Sequence, residues 1–268
     1  MSTLPQPTYS LSTGTPPWRK STPHLFVVLP AYNEEENLGT LLEQVDQSMF
    51  DDRQAFDVIV VDDGSQDKTY EIACDYSKHM PVRVEQHKVN QGLGQTICDG
   101  LRKASSLCQD HDVVVALDAD NSHTPALIPR MVSKIQEGND VVIASRYRVG
   151  SCIRGVPWYR NWMSYGARYL CQSIYPIPGV RDYTCGFRAY RGSLLKRAFD
   201  FYGDNGFATE RGFQCMLDIL IKLHRLNAIC CEVPMVLRYD LKGGASKMRV
   251  ASTVRKTVSL LLRRRLGR

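Results

Sequence analysis

The chain is predicted to adopt an α/β fold, a mostly parallel sheet with helices on both faces. Three features of its 268 residues lead there. Short continuous runs of β-branched and other apolar residues recur through the first half, as expected of strands buried on both faces. Segments with apolar residues at helical spacing separate these runs, which is the order of strand–helix units in a parallel sheet. Each run also ends in polar or acidic residues, at the strand ends where open α/β sheets bind ligands.

Taken in order, HLFVVLP (24–30) reads as the first strand. Glu34 to Gln47 follows as a helix, with Leu38, Leu41, Leu42 and Val45 on one face. FDVIVVDDGS (56–65) is a second strand ending in acids and a turn, and Asp67 to Ser77 is a helix. VRVEQH (82–87) is a third strand, and Gly94 to Ser105 a helix entered through the glycine loop Asn90-Gln91-Gly92-Leu93-Gly94. DVVVALDAD (112–120) is a fourth strand, Pro125 to Gln136 a helix, and DVVIASRY (140–147) a fifth strand. The second half is less regular. Pro157 to Ile174 is an aromatic-rich amphipathic segment, 179–195 a loop, strand and short helix, and Thr209 to His224 a helix. Residues 228–239 read as a strand pair broken at Pro234, followed by the glycine-bearing loop LKGGASKM (241–248). The expected organisation is a flexible, Pro/Ser/Thr-rich tail over 1–23, one catalytic domain over 24–248, and a basic amphipathic helix over 249–268.

Composition excludes several classes. Hydrophobic residues make up 43% and charged residues 23% of the chain, as in globular proteins. No apolar run approaches the roughly 20 residues needed to cross a bilayer, and the N-terminus lacks the apolar stretch of a secretory signal. The nine cysteines show neither a disulfide framework nor zinc-ligand spacing, so reduced, mostly buried thiols in a cytosolic protein are expected. The net charge of +6 is concentrated late: residues 249–268 carry seven Arg or Lys and no acid. Val250, Val254, Val258, Leu261, Leu262 and Leu266 share one face of that tail, between basic residues. Such a helix suits an anionic membrane surface, and equally a charged helix packed on the domain. A nucleic-acid binder would leave the acid-tipped strands unexplained, so no nucleic-acid partner is expected.

The strand ends carry the chemistry. Asp118 and Asp120 are two carboxylates at i and i+2, which point the same way on an extended segment. Together they suit a hard divalent cation, Mg²⁺ or Mn²⁺; the alternative is a turn and capping cluster with Asn121 and Ser122. Asp62 and Asp63 could hold a base or ribose hydroxyl, or could belong to an Asp-Gly turn. Tyr32 could stack on a base and Glu34 accept from it, or Glu34 could serve the start of a helix. The glycine loop at 90–94 suits close backbone approach, but lacks the lysine of a P-loop and is not GxGxxG.

PAYNE, VVDDGS, NQGLG, LDAD, ASRY, DYTCGFRAY, EVP and GASKM occur in this order. The chain thereby resembles family 2 glycosyltransferases of GT-A fold. Within them it is most similar to the polyprenyl-phosphate glycosyltransferases typified by dolichol-phosphate mannose synthase, over about residues 24 to 250. The resemblance implies that Pro30, Tyr32 and Glu34 frame the nucleotide base with Val61 and Asp63. It places Asp118, Ala119 and Asp120 against the diphosphate, with Asp118 and Asp120 on Mg²⁺ or Mn²⁺. Arg146 would contact donor sugar or phosphates, and Lys247 would close over the phosphates. Asp182 and Arg188 would border the acceptor phosphate, with Asp182 in the catalytic set, and Asp218 stands where the family carries an acid.

Two positions depart from the family pattern. Ser122 replaces a glutamine after the second metal aspartate, and its hydroxyl is a candidate third metal ligand. Leu241 replaces an arginine before the Ser-Lys pair, with Lys242 and Arg238 as candidate substitutes for its charge. Both lie around the donor, which leaves GDP-mannose and a UDP-sugar such as UDP-glucose open.

The implied activity is inverting transfer of a hexose from a nucleotide sugar to a polyprenyl or dolichyl phosphate. It would take place peripherally at the cytoplasmic face of a membrane, and a membrane-anchoring partner subunit is compatible with it. The rival is a family 2 enzyme for a polysaccharide, glycolipid or small-molecule hydroxyl. That acceptor needs a carboxylate base, for which Glu210 and Asp218 are the candidates unless they are merely helix-surface acids.

Overall fold

The computed structural model describes residues 22–156, 158–203, 206–212, 214–241 and 250–265; for 158–163, 241 and 250–254 it describes the backbone alone. Its main sheet is built from β1 (Leu25–Ala31), β2 (Phe56–Asp62), β3 (Val82–Gln86), β4 (Val113–Ala116) and β5 (Val141–Ser145) in the first half. After a short outlying strand β6 (Cys152–Arg154), the second half adds β7 (Arg188–Arg191) and β8 (Cys230–Pro234). The order is β3-β2-β1-β4-β7-β5-β8. Every pairing is parallel except that β7 runs antiparallel to both β4 and β5. The predicted α/β class with a mostly parallel sheet therefore holds. The apolar runs VVLP, VIVV, VVVA and VVIA are wholly buried, as strands sandwiched between helices require.

Helices α1 (Leu38–Asp51), α2 (Thr69–Tyr76), α3 (Leu93–Leu107) and α4 (Ile128–Gln136) follow the first four strands. Then come α5 (Trp158–Ile174), α6 (Gly192–Tyr202), α7 (Cys215–Arg225) and α8 (Val250–Arg265). Gly100 lets α3 press against the sheet, since a Cβ there would lie 2.4 Å from Val28 Cγ1.

Several boundaries differ from expectation, each for a local reason. The helix expected from Glu34 begins at Leu38, because Glu34 and Asn37 close a turn first: Asn37 Nδ2 donates to Glu34 Oε2 at 2.8 Å. The strand expected through Asp120 stops at Ala116, and the chain turns at Asn121, whose φ is +57°. Asp118 and Asp120 therefore lie on a loop rather than on an extended strand. The helix expected from Thr209 begins at Cys215. Residues 209–212 are instead drawn out across the start of α3, where Gly94 N donates to Arg211 O at 3.1 Å. Beyond Pro234 the chain leaves the main sheet as β9 (Val236–Arg238), which pairs in parallel with β6.

The basic C-terminal helix packs on α5 and α7. Thr257, Leu260 and Leu261 are buried, whereas Leu262 is 49% exposed, so the inward stripe is rotated from the one expected. The side chains of Val250 and Val254, and all of Leu266, lie outside the described residues. Arg263 donates to Glu210 Oε1 at 2.7 Å, Arg264 to Asp218 Oδ1 at 2.9 Å, and Arg265 to the Ile174 carbonyl at 2.9 Å. Of the two outcomes left open for this helix, the structure shows the packed one. No helix among the described residues is long and apolar enough to cross a membrane.

Candidate functional site

The carboxyl ends of β1, β2 and β3 surround a cleft of about 370 Å³ lined by Tyr32, Gly64 to Gln66 and Gln86 to Asn90. Asp62 and Asp63, at the end of β2, hold three of these lining residues, Ser65, Gln86 and His87. Asp63 accepts from Gln91 N at 2.8 Å and Gly92 N at 2.9 Å, and meets His87 Nδ1 at 2.8 Å. Asp62 accepts from Ser65 N at 3.2 Å and Gln86 Nε2 at 3.1 Å. Gly92 has φ +91°, a conformation that glycine adopts at little cost, and this turns two successive N–H groups onto Asp63. The expectation that Asp63 grips the base thus meets a buried carboxylate already engaged with the glycine loop. Val61 is likewise buried, its Cγ2 packed toward α3 at Gly100, and Pro30 is buried in β1. The group that lines the cleft directly is Tyr32. Glu34 is half-buried beside it, its backbone N–H donating to Thr69 Oγ1 at 2.8 Å and its carboxylate tied to Asn37.

Beyond β4, Asp118 and Asp120 are half-buried, with Ala119 buried between them. Ser122 donates to Asp120 Oδ1 from its hydroxyl at 2.5 Å and from its N–H at 3.1 Å. Its hydroxyl proton therefore orients Asp120, while the hydroxyl oxygen keeps lone pairs for the ligand role expected of it. Gly186 backs the other carboxylate so closely that a Cβ would lie 2.8 Å from Asp118 Oδ1. Among the described residues, no group of three or more His, Cys, Asp or Glu is arranged to hold a metal. Two carboxylates with no third such ligand fit a magnesium-type ion, which takes one or two protein carboxylates and completes its shell with water and substrate phosphates. The loop is tied to β9: Arg238 N donates to Ser122 O at 3.0 Å, and His123 bridges Leu237.

At the end of β5, Arg146 Nε donates to Asp182 Oδ2 at 2.8 Å and Nη2 to Asp182 Oδ1 at 2.7 Å, a bidentate fork. Nη2 also reaches Thr184 Oγ1 at 2.7 Å. Burial by itself would raise the Asp182 carboxyl, but the Arg146 charge and hydrogen bonds outweigh it and hold the group below its ordinary value. Arg146 is correspondingly raised, the Asp182 charge overcoming burial. Glu232, from the EVP stretch, holds the turn beneath by accepting from Arg181 N and Asp182 N, both at 2.6 Å. Burial pushes the Glu232 carboxyl up.

The second-half residues expected at the acceptor lie deeper than expected. Asp182, Arg188 and Asp218 are all fully buried. Arg188 donates to the Met216 carbonyl at 2.6 Å and the Tyr183 carbonyl at 2.7 Å. Asp218 is shared between Lys222, at 2.6 Å, and Arg264, at 2.8 Å. In the described structure these three side chains lie beneath the surface, each engaged by protein groups. Lys247 and the rest of GASKM lie outside the described residues. Sequence reasoning missed Gln86, His87 and Lys88 in the cleft, although the strand-end rule that found the acids applies equally to β3. It also missed Thr184, which lies inside the DYTCGFRAY stretch but was not singled out there.

The model of the family described as glycosyl transferase family 2 matches residues 26–199. The dolichol-phosphate mannosyltransferase of Pyrococcus furiosus is 33% identical over 218 residues, covering 81% of this chain. This chain spans only 57% of that relative's length. The polyprenol monophosphomannose synthase of Mycolicibacterium smegmatis is 30% identical, over 85% of this chain and 82% of its own. Among solved structures, glucosyl-3-phosphoglycerate synthase from Mycobacterium tuberculosis superposes with a TM-score of 0.62 at 22% identity, covering 91% of this chain and 80% of that one. It has been crystallised with UDP and Mn²⁺, and in a further structure with UDP and Mg²⁺. A match of the family model across most of the sheet, with relatives at 30% identity and above, leads to one conclusion: the chain belongs to glycosyl transferase family 2.

Proposed function

We propose that the protein transfers a hexose from a nucleoside-diphosphate sugar to a polyprenyl phosphate, inverting the anomeric centre, at the cytoplasmic face of a membrane. The observation that carries the acceptor class is the state of the acids on that side. Glu210 and Asp218, the candidate bases for a hydroxyl acceptor, are both engaged by arginines of α8, and Asp182 is locked to Arg146. A hydroxyl acceptor needs a general base within reach of its proton. A phosphate needs none, because it arrives ionised. The names of the Pyrococcus and Mycolicibacterium relatives support the same reading.

In this mechanism the cleft beside Tyr32 takes the nucleoside and the backbone of the glycine loop forms its wall. Asp118 and Asp120 would hold Mg²⁺ or Mn²⁺, which as a Lewis acid neutralises the departing diphosphate. Ser122 keeps Asp120 in register for that task. Arg146, immobilised by Asp182, presents a preorganised positive group where negative charge moves from acceptor to leaving group. Lys247 would add a second cation on the donor side. Asp182, Arg188 and Asp218 act through these groups. Membrane contact would fall to surfaces other than Arg263 to Arg265, which are engaged internally.

A donor panel tests this. Protein with Mn²⁺ or Mg²⁺ is given GDP-mannose, UDP-glucose, UDP-N-acetylglucosamine or UDP-galactose, with and without a short polyprenyl phosphate, and nucleoside diphosphate release is followed. Release that depends on the lipid phosphate is expected, and should fall at least roughly 100-fold in a folded Asp120→Asn variant. Equal slow release with and without lipid for every donor would reject the acceptor. Near-normal turnover by Asp120→Asn would reject the metal assignment.

A further inference from the structure

A second guanidinium stands beside Arg146 with no acid paired to it among the described residues. Arg168, on α5, has its Cζ 4.9 Å from the Tyr147 ring centroid and 5.4 Å from that of Tyr169. Arg146 Cζ lies 5.5 Å from the same Tyr147 ring. Two like charges thus share one aromatic ring, and Asp182 compensates only Arg146. Among the described residues no hydrogen bond or ion pair reaches Arg168, and its Nε is shielded from solvent with no partner. Burial pushes the Tyr147 phenol up to about 12, so it stays protonated at neutral pH and supplies no negative charge. Cation–π contacts hold a guanidinium in place, but they do not replace the hydrogen bond lost on shielding its Nε–H. Among the described residues the arrangement lacks an anion.

The chemistry of that anion follows from the surroundings. Asp182 and Thr184 take Nε and Nη2 of Arg146, which leaves Nη1 for a ligand. Two guanidinium groups around one ring suit a phosphate, whose oxygens accept from planar N–H forks. Flanking Arg168 on the same helix, Tyr165 and Tyr169 are 44% and 62% exposed, and Tyr165 packs on Tyr147 at 5.4 Å between centroids. Exposed aromatic faces beside a cation fit a ligand with a charged head and an apolar chain.

We propose that Arg168 is an acceptor-binding residue, taking the phosphomonoester of the acceptor together with Arg146 across the Tyr147 ring. This rests on the lipid-phosphate reading above and adds a residue that none of the sequence motifs contains. It also places acceptor recognition on α5, outside the buried set Asp182, Arg188 and Asp218.

The test is calorimetric titration of geranyl phosphate, with geraniol as the uncharged control, into wild type, Arg168→Gln and Arg168→Lys. Loss of one charge-assisted phosphate contact should weaken geranyl phosphate binding about 10- to 100-fold in Arg168→Gln. KM for geranyl phosphate in the transfer assay should rise by a similar factor, with a smaller change in kcat. Nucleoside diphosphate affinity and the circular dichroism spectrum should be unchanged, and Arg168→Lys should recover part of the loss. Equal binding of geranyl phosphate by wild type and Arg168→Gln overturns the assignment and leaves the lipid-phosphate reading standing. Parallel loss of nucleotide affinity in both variants shows a merely structural residue and also overturns it. Wild type that neither binds nor glycosylates geranyl phosphate, while still cleaving a nucleotide sugar, overturns the underlying reading and this inference with it.

Discussion

The ends of β1 to β3 and the second half of the chain satisfy their acids in opposite ways. At the ends of β1 to β3, Asp62 and Asp63 accept from backbone and amide N–H groups and meet an imidazole. In the second half, Asp182, Asp218 and Glu210 are each matched by a full cation, from Arg146, Lys222 with Arg264, and Arg263. Hydrogen bonds from N–H groups shape an acid without cancelling its charge, whereas an ion pair cancels it. Under the proposed function, that difference sorts the two reactants. The first edge would meet the donor through a cation at Asp118 and Asp120. The second, where Asp182, Asp218 and Glu210 are paired with cations, would meet the acceptor phosphate at Arg146 and Arg168.

The contrast can be sharpened by breaking it piece by piece. The largest effect is expected from Asp218→Ala, which strips a fully buried carboxylate from Lys222 and Arg264. Removing one partner of a buried charge cluster typically costs about 3–5 kcal/mol, to be read by urea unfolding. A loss below about 1 kcal/mol would show that the cluster is not held by charge. Next comes Gly94→Ala, at the seam between the two regions. A Cβ there would lie 1.8 Å from the Glu210 carbonyl oxygen, so the glycine loop or the 209–212 segment must move. Overpacking of this kind costs about 1–3 kcal/mol, and displacement of the loop should weaken nucleotide binding as well. Unchanged nucleotide affinity in a destabilised Gly94→Ala protein would separate the seam from the donor wall. The smallest effect is expected from Arg263→Gln. Its partner Glu210 is mostly buried, but Arg263 itself is 55% exposed, and pairs of that kind are worth about 0.2–1 kcal/mol. A melting-temperature drop as large as that of Asp218→Ala would overturn the ranking.

Much of the donor half is legible in the sequence, because a buried parallel strand declares itself by its own apolar residues and its binding residues follow directly. Val58 to Val61 make a strand wherever they are packed, and Asp62 and Asp63 come next. The acceptor half is less legible. Whether Asp218 faces a substrate or an arginine depends on Arg264, 46 residues later, and no local pattern encodes that pairing. Arg188 shows the same limit: the resemblance implies an acceptor contact for it, while its hydrogen bonds to the Met216 and Tyr183 carbonyls appear only in the fold. β6 was invisible because CIR has neither the length nor the alternation of a strand, and it pairs only because β9 leaves the main sheet. Arg168 lay in a segment recognised only as aromatic and amphipathic. Its significance comes from what surrounds it, including the absence of an acid among the described residues.

The crossing of Gly94 by Arg211 also bears on how the protein is made. Arg211 belongs to a segment pinned by Thr209 to Asp218, and Asp218 is in turn pinned by Arg264. Synthesis is vectorial, and early segments can begin to fold before late ones exist. The strands that lead to Asp62, Asp63 and Asp118 can therefore pair on a nascent chain before residues 209–212 are in place across the start of α3. That crossing is secured only after residue 264 has left the ribosome, so the seam beside the glycine loop is among the last parts of the growing chain to settle.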